Sequence, residues 1–79
     1  MYAIVLDPEF AKQANSLHPK RYKQIHLRVF ALQDDPRPPD SVSIDPEMYR
    51  VRVGPYIITY EVDDSRRHVR VFLLEESQE

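Results

Sequence analysis

At 79 residues the chain is a single small domain, residues 1–79, and at this size only about 60–65% of the unfolded surface can be buried. It has no cysteine, so disulfide staples and thiolate metal sites are excluded, and its formal net charge of −2 argues against unselective binding to nucleic acid. The opening MYAIVLDPEF has no basic leader and no long apolar run, and no stretch is apolar enough to span a bilayer. A cytoplasmic protein with no membrane partner is expected.

Tyr2 to Leu6 is a short apolar run that predicts a strand. Asp7-Pro8-Glu9 is a helix start. Asp7 can cap exposed N–H groups, Pro8 suits the first helical position, and Glu9 complements the dipole. Phe10, Ala14 and Leu17 then recur at helical spacing, and the helix is expected to end near His18, which precedes Pro19. Pro19 opens a second helix running to about Gln33. Tyr22, Ile25, Val29 and Leu32 form its apolar stripe, Phe30 widens it, and Lys20, Lys23 and Gln24 lie on the other side. The following DDPRPPD, Asp34 to Asp40, holds three prolines and three acids and predicts an extended connector.

Ser41 to Ile44 can begin a strand, interrupted by Asp45-Pro46-Glu47. Tyr49 to Val62, YRVRVGPYIITYEV, holds the only glycine and predicts a β-hairpin turning at Gly54-Pro55. Pro55 lacks an N–H and belongs in the turn. Successive strand residues point to opposite faces, so Val51 and Val53 enter a core while Arg50 and Arg52 stand together on the other side. Tyr56, Ile58, Tyr60 and Val62 form one face of the returning strand, and Ile57, Thr59 and Glu61 the other. Asp63 to Arg67 is a turn, His68 to Leu74 is the last strand, and EESQE is expected to fray.

This order is β-α-α-β-β-β. Its simplest packing is an α+β fold: an N-terminal strand and a two-helix hairpin packed on one face of a small, mainly antiparallel twisted sheet. Strict alternation in the last strand turns Val69, Val71 and Leu73 toward the helices. It leaves Arg70, Phe72 and Leu74 on the open face with Ile57. Ile57, Phe72 and Leu74 are therefore expected to contact a protein partner.

The strongest chemical feature is Arg50 with Arg52. Alternate arginines on one strand face make a rigid phosphate site through forked donors and fixed charge, and the plainer alternative is that they keep that face soluble. Lys20, Arg21 and Lys23 form a basic helix face that can track a nucleic-acid backbone, as Arg70 can from the sheet. His18, His26 and His68 have no metal-ligand spacing, so neither a metal nor a cofactor is assigned. His18 reads as an interhelical residue and His26 as part of the helix packing. His68 becomes an acid or base only if the fold brings it to the arginines. No catalytic triad and no glycine-rich phosphate loop is present.

The Asp7-Pro8 strand end, the Leu32 to Pro36 helix end, the YRVRVG hairpin with its YEV ending and the HVRVF strand occur in an order that resembles the RelE/ParE superfamily of toxins. The resemblance spans nearly the whole chain. It implies the toxin component of a type II toxin–antitoxin system, partnered by a cognate antitoxin, as a homodimer or a heterotetramer with that antitoxin. RelE-like members are mRNA endonucleases that inhibit translation at the ribosome; ParE-like members act on DNA gyrase. By motif position Arg50 and Arg52 match the basic residues before the family glycine and would be catalytic, holding the scissile phosphate as the RNA 2′-OH attacks. Two departures favour a non-enzymatic, protein-binding toxin instead: Ile57 stands where the family has an arginine after the hairpin tyrosine, and the acidic EESQE stands where an Arg…Tyr segment usually follows.

Overall fold

The computed structural model describes residues 1–77. Strand β1 (Ala3–Leu6) is followed by helices α1 (Pro8–Asn15) and α2 (Pro19–Ala31), then by strands β2 (Val42–Ser43), β3 (Met48–Val53), β4 (Tyr56–Asp63) and β5 (His68–Glu76). The strands form one sheet in the order β1-β5-β4-β3-β2, with only the β1–β5 pair parallel. The helices cover one face of it, so the expected α+β architecture is the observed one.

Local chemistry sets the helix boundaries. Asp7 caps α1 by accepting the Glu9 N–H at 3.1 Å, with Pro8 in the first turn. The cap of α2 is His18, whose Nδ1 accepts the Lys20 N–H at 3.2 Å. Both helices stop a little before the expected ends, with Ser16 and Leu32 as C-caps. Tyr22, expected in the α2 stripe, lies at its exposed margin, and Ile25, Val29 and Leu32 make the burial.

The core lies between the helices and the inner sheet face. Phe10, Ala14, Ile25, Val29 and Leu32 meet Val51, Ile58, Tyr60, Val62, Val69, Val71 and Leu74. Tyr60 is fully buried and donates its hydroxyl to the Pro36 carbonyl at 2.8 Å, which anchors the proline-rich connector under the sheet. The connector is fixed from outside by Arg28, which pairs with Asp40, and by Arg37.

The β3–β4 hairpin closes over two residues, since Val53 pairs with Tyr56. Gly54 has φ +58, and proline holds Pro55 at negative φ, so the turn is of the type with a glycine at its first central position. Arg67 takes the left-handed conformation, φ 56, in the β4–β5 turn.

The last strand departs from the expected pattern twice. Thr59 pairs with Leu73 but Tyr60 with Val71, so Phe72 is the extra residue of a β-bulge. The bulge resets the alternation beyond it. Leu74, expected on the open face as a partner contact, is a core residue at 6% exposure, and Leu73 takes the outward place opposite Thr59. The strand also runs on instead of fraying. Ile57 pairs with Glu75 and Tyr56 with Glu76, and the Ser77 N–H donates to the Pro55 carbonyl at 2.6 Å. Gln78 and Glu79, the rest of the segment expected to fray, lie outside the described residues.

Candidate functional site

The sheet face away from the helices holds the hairpin arginines. Arg50 and Arg52 flank buried Val51 on β3, and both are exposed. Pairing carries their rows across the sheet: Val42, Arg50, Thr59 and Leu73 in one, Arg52, Ile57 and Glu75 in the next. Ile57, Thr59, Phe72 and Leu73 are half-buried and give this face an apolar floor beside the arginines.

Arg70 shares this face from β5, opposite Glu61. It is two strands from β3, a lateral separation of about 10 Å. Its guanidinium lies 4.9 Å from the Phe72 ring centre and donates to Asp7 Oδ2 at 3.2 Å. Asp7 thus caps α1 with one oxygen and holds Arg70 with the other. Sequence reasoning had the cap and missed the second role, because the partners are 63 positions apart.

The other predicted cations lie elsewhere. Lys20, Arg21 and Lys23 are exposed on the first turns of α2, on the helical side of the sheet. Arg21 links the two regions: a methyl group built on Gly54 would lie 3.8 Å from its guanidinium, so the start of α2 sits at the hairpin tip. Cations therefore run from the open face around the tip to α2, with Arg70 across the sheet.

The histidines are dispersed. His18 is a cap, and His26 stacks on Tyr22 and lies tilted against Phe30 along α2, with ring centres at 5.9 and 4.5 Å. His68 is on β5, two strands from β3, and is not brought beside Arg50 and Arg52. It opposes Asp63 and helps line a cleft of about 280 Å3 with Glu61, Arg66 and Arg70. That cleft was not legible in the sequence, since β1 and α1 close one side of it. No group of three or more His, Cys, Asp or Glu able to hold a metal occurs among the described residues. No helix among them is long and apolar enough to cross a membrane.

A second polar cluster braces the sheet end. Asp64 accepts from both terminal nitrogens of Arg37 and from the Tyr2 hydroxyl at 2.6 Å, and Arg37 Nε donates to the Tyr49 hydroxyl at 2.8 Å. Arg37, and then Tyr2, hold the Asp64 carboxyl below the usual carboxylate range, while the bond to Asp64 raises the Tyr2 hydroxyl. These residues are tied to one another and fix the connector.

The isolated E. coli RelE toxin superposes with a TM-score of 0.87 at 18% identity, over 100% of this chain and 87% of that one. The RelE–RelB complex of the archaeon Pyrococcus horikoshii gives 0.83 at 20%, over 95% and 93% of the two chains. The intact E. coli RelBE toxin–antitoxin complex gives 0.84 at 20%, over 100% of both. No protein-family profile matches the sequence, and no curated protein matches it. From its first strand to its last, the chain has the RelE toxin fold.

Proposed function

We propose that this chain is the toxin of a type II toxin–antitoxin pair and a ribosome-dependent mRNA endonuclease, with Arg50 and Arg52 as the phosphate and transition-state contacts. The observation that carries the reading is the placing of two exposed arginines, two residues apart, on the uncovered sheet face of a RelE fold. When an RNA 2′-oxygen attacks the adjacent phosphorus and the bond to the 5′-oxygen breaks, negative charge gathers on the non-bridging oxygens. Forked guanidinium donors on a rigid strand are suited to that charge. Arg70 is a further cation on the same face. In this reading Lys20, Arg21 and Lys23 follow the RNA backbone onto α2, with Arg21 at the hairpin tip.

The partner is a cognate antitoxin, as in the RelB complexes of the structural relatives, and the toxin acts in the cytoplasm as a homodimer or in a heterotetramer with that antitoxin. With purified protein, translating ribosomes and mRNA, Arg52→Ala is expected to slow cleavage by about 100-fold or more while the fold is kept. Cleavage at the wild-type rate by that variant would remove Arg52 from the mechanism.

A second reading has its own support. Ile57, Phe72 and Leu73 form a half-buried apolar strip beside the arginines, which suits a protein target such as DNA gyrase. Growth arrest with intact mRNA is the outcome that favours it.

A further inference from the structure

The end of β5 reaches one side of the candidate phosphate site. Glu75 shares a row with Ile57 and Arg52, and Glu76 pairs with Tyr56. The Ser77 N–H closes onto the Pro55 carbonyl at 2.6 Å, so the segment is fastened to the hairpin turn. Arg52 Nη2 donates to Ser77 Oγ at 2.7 Å. Arg52 thus donates to a segment that also carries two carboxylates.

From these contacts we infer that Glu75–Ser77 is a built-in competitor for phosphate at Arg52, an autoinhibitory cover that an RNA strand displaces. The inference rests on the reading of Arg50 and Arg52 as phosphate contacts. A hydroxyl is a weaker partner for a guanidinium than a phosphate oxygen, because only the phosphate bond is charge-assisted on both sides. A phosphate oxygen can therefore take the place of the Ser77 hydroxyl at Arg52. Glu75 stands two strands from Arg52, about 10 Å between backbones. That is close to one Debye length at physiological salt, so its carboxylate opposes an incoming phosphate most strongly at low ionic strength. The apolar Ile57 between them supplies no neutralising charge.

The test is binding of a 2′-O-methyl RNA oligonucleotide, which cannot be cleaved, followed by fluorescence anisotropy over a range of salt. Ser77→Ala combined with Glu75→Gln is expected to tighten binding by about 5-fold or more at low salt, with the gain shrinking as salt rises. The gain should disappear when Arg52→Ala is added, because it acts through that guanidinium. Glu9→Gln, a charge change of the same sign on exposed α1, should leave affinity within about 2-fold. An equal gain from Glu9→Gln, or a gain that survives Arg52→Ala, would overturn the cover and leave only a general charge effect. Wild-type binding that the double substitution does not improve would overturn the cover alone. Failure of the wild type and every variant to bind RNA would remove the RNA reading and the cover with it.

Discussion

Arg37 grips Asp64 with both terminal nitrogens, at 3.2 and 2.8 Å, across 27 positions of sequence. One residue comes from the proline-rich connector and the other from the β4–β5 turn. The same Asp64 takes the Tyr2 hydroxyl, so the connector, the turn and the start of the chain meet at one carboxylate.

That carboxylate should make the protein acid-sensitive. Its folded pKa lies below the ordinary 3.8, chiefly through Arg37. The unfolded chain therefore takes up the proton first as pH falls. The contribution is complete above the ordinary value and is lost as pH falls through it toward the lower folded value. Asp64→Asn should reduce stability at neutral pH and flatten the acid limb. Urea midpoints measured from neutral pH to about pH 2.5 check this. Part of the slope should remain, because Arg28 lowers Asp40 and the Ser65 hydroxyl lowers Asp63. An acid limb of unchanged steepness in the variant would take Asp64 out of the account.

Tyr60→Phe tests the buried anchor. It keeps the ring and leaves the Pro36 carbonyl without its donor, at a cost of about 1–3 kcal/mol. Burial also raises the Tyr60 pKa above its ordinary 10.0. That contribution is present below the unfolded value and fades as pH rises through the folded one, so the variant should lose stability less steeply in alkali. Equilibrium unfolding of the two proteins at neutral and alkaline pH measures both effects.

The bulge predicts a contrast between neighbours. Leu74→Ala should cost about 2–5 kcal/mol, as a large-to-small change in the core. Phe72→Ala, on the open face, should cost less, and its larger effect should be on binding of a partner to that face. Chemical denaturation ranks the two. A smaller loss for Leu74→Ala than for Phe72→Ala would contradict the placing of the bulge.

Most of the fold was legible because its signals are local. Asp7-Pro8 and His18-Pro19 set the helix starts, Gly54-Pro55 sets the hairpin, and the Val51 and Tyr60 phases follow from strand periodicity. The placing of Arg50 and Arg52 together on one exposed strand face was legible, because it needs only that alternation. What stayed hidden depends on pairing between distant segments. A bulge is invisible in a run such as VFLL, where every residue is apolar, so Leu73 and Leu74 were exchanged between faces. The ordering of Glu75–Ser77 comes from β4 and the Pro55 carbonyl, and polar composition alone reads as a fraying end. Arg70 and Asp7, 63 positions apart, meet only because β1 lies parallel to β5.

The most direct test of the central claim is induced expression in bacteria without an antitoxin, reading growth together with the positions of new mRNA ends. The account predicts growth arrest with cuts inside translated codons, and loss of both in Arg52→Ala. Arrest with intact mRNA, or no arrest from soluble folded protein, would contradict it.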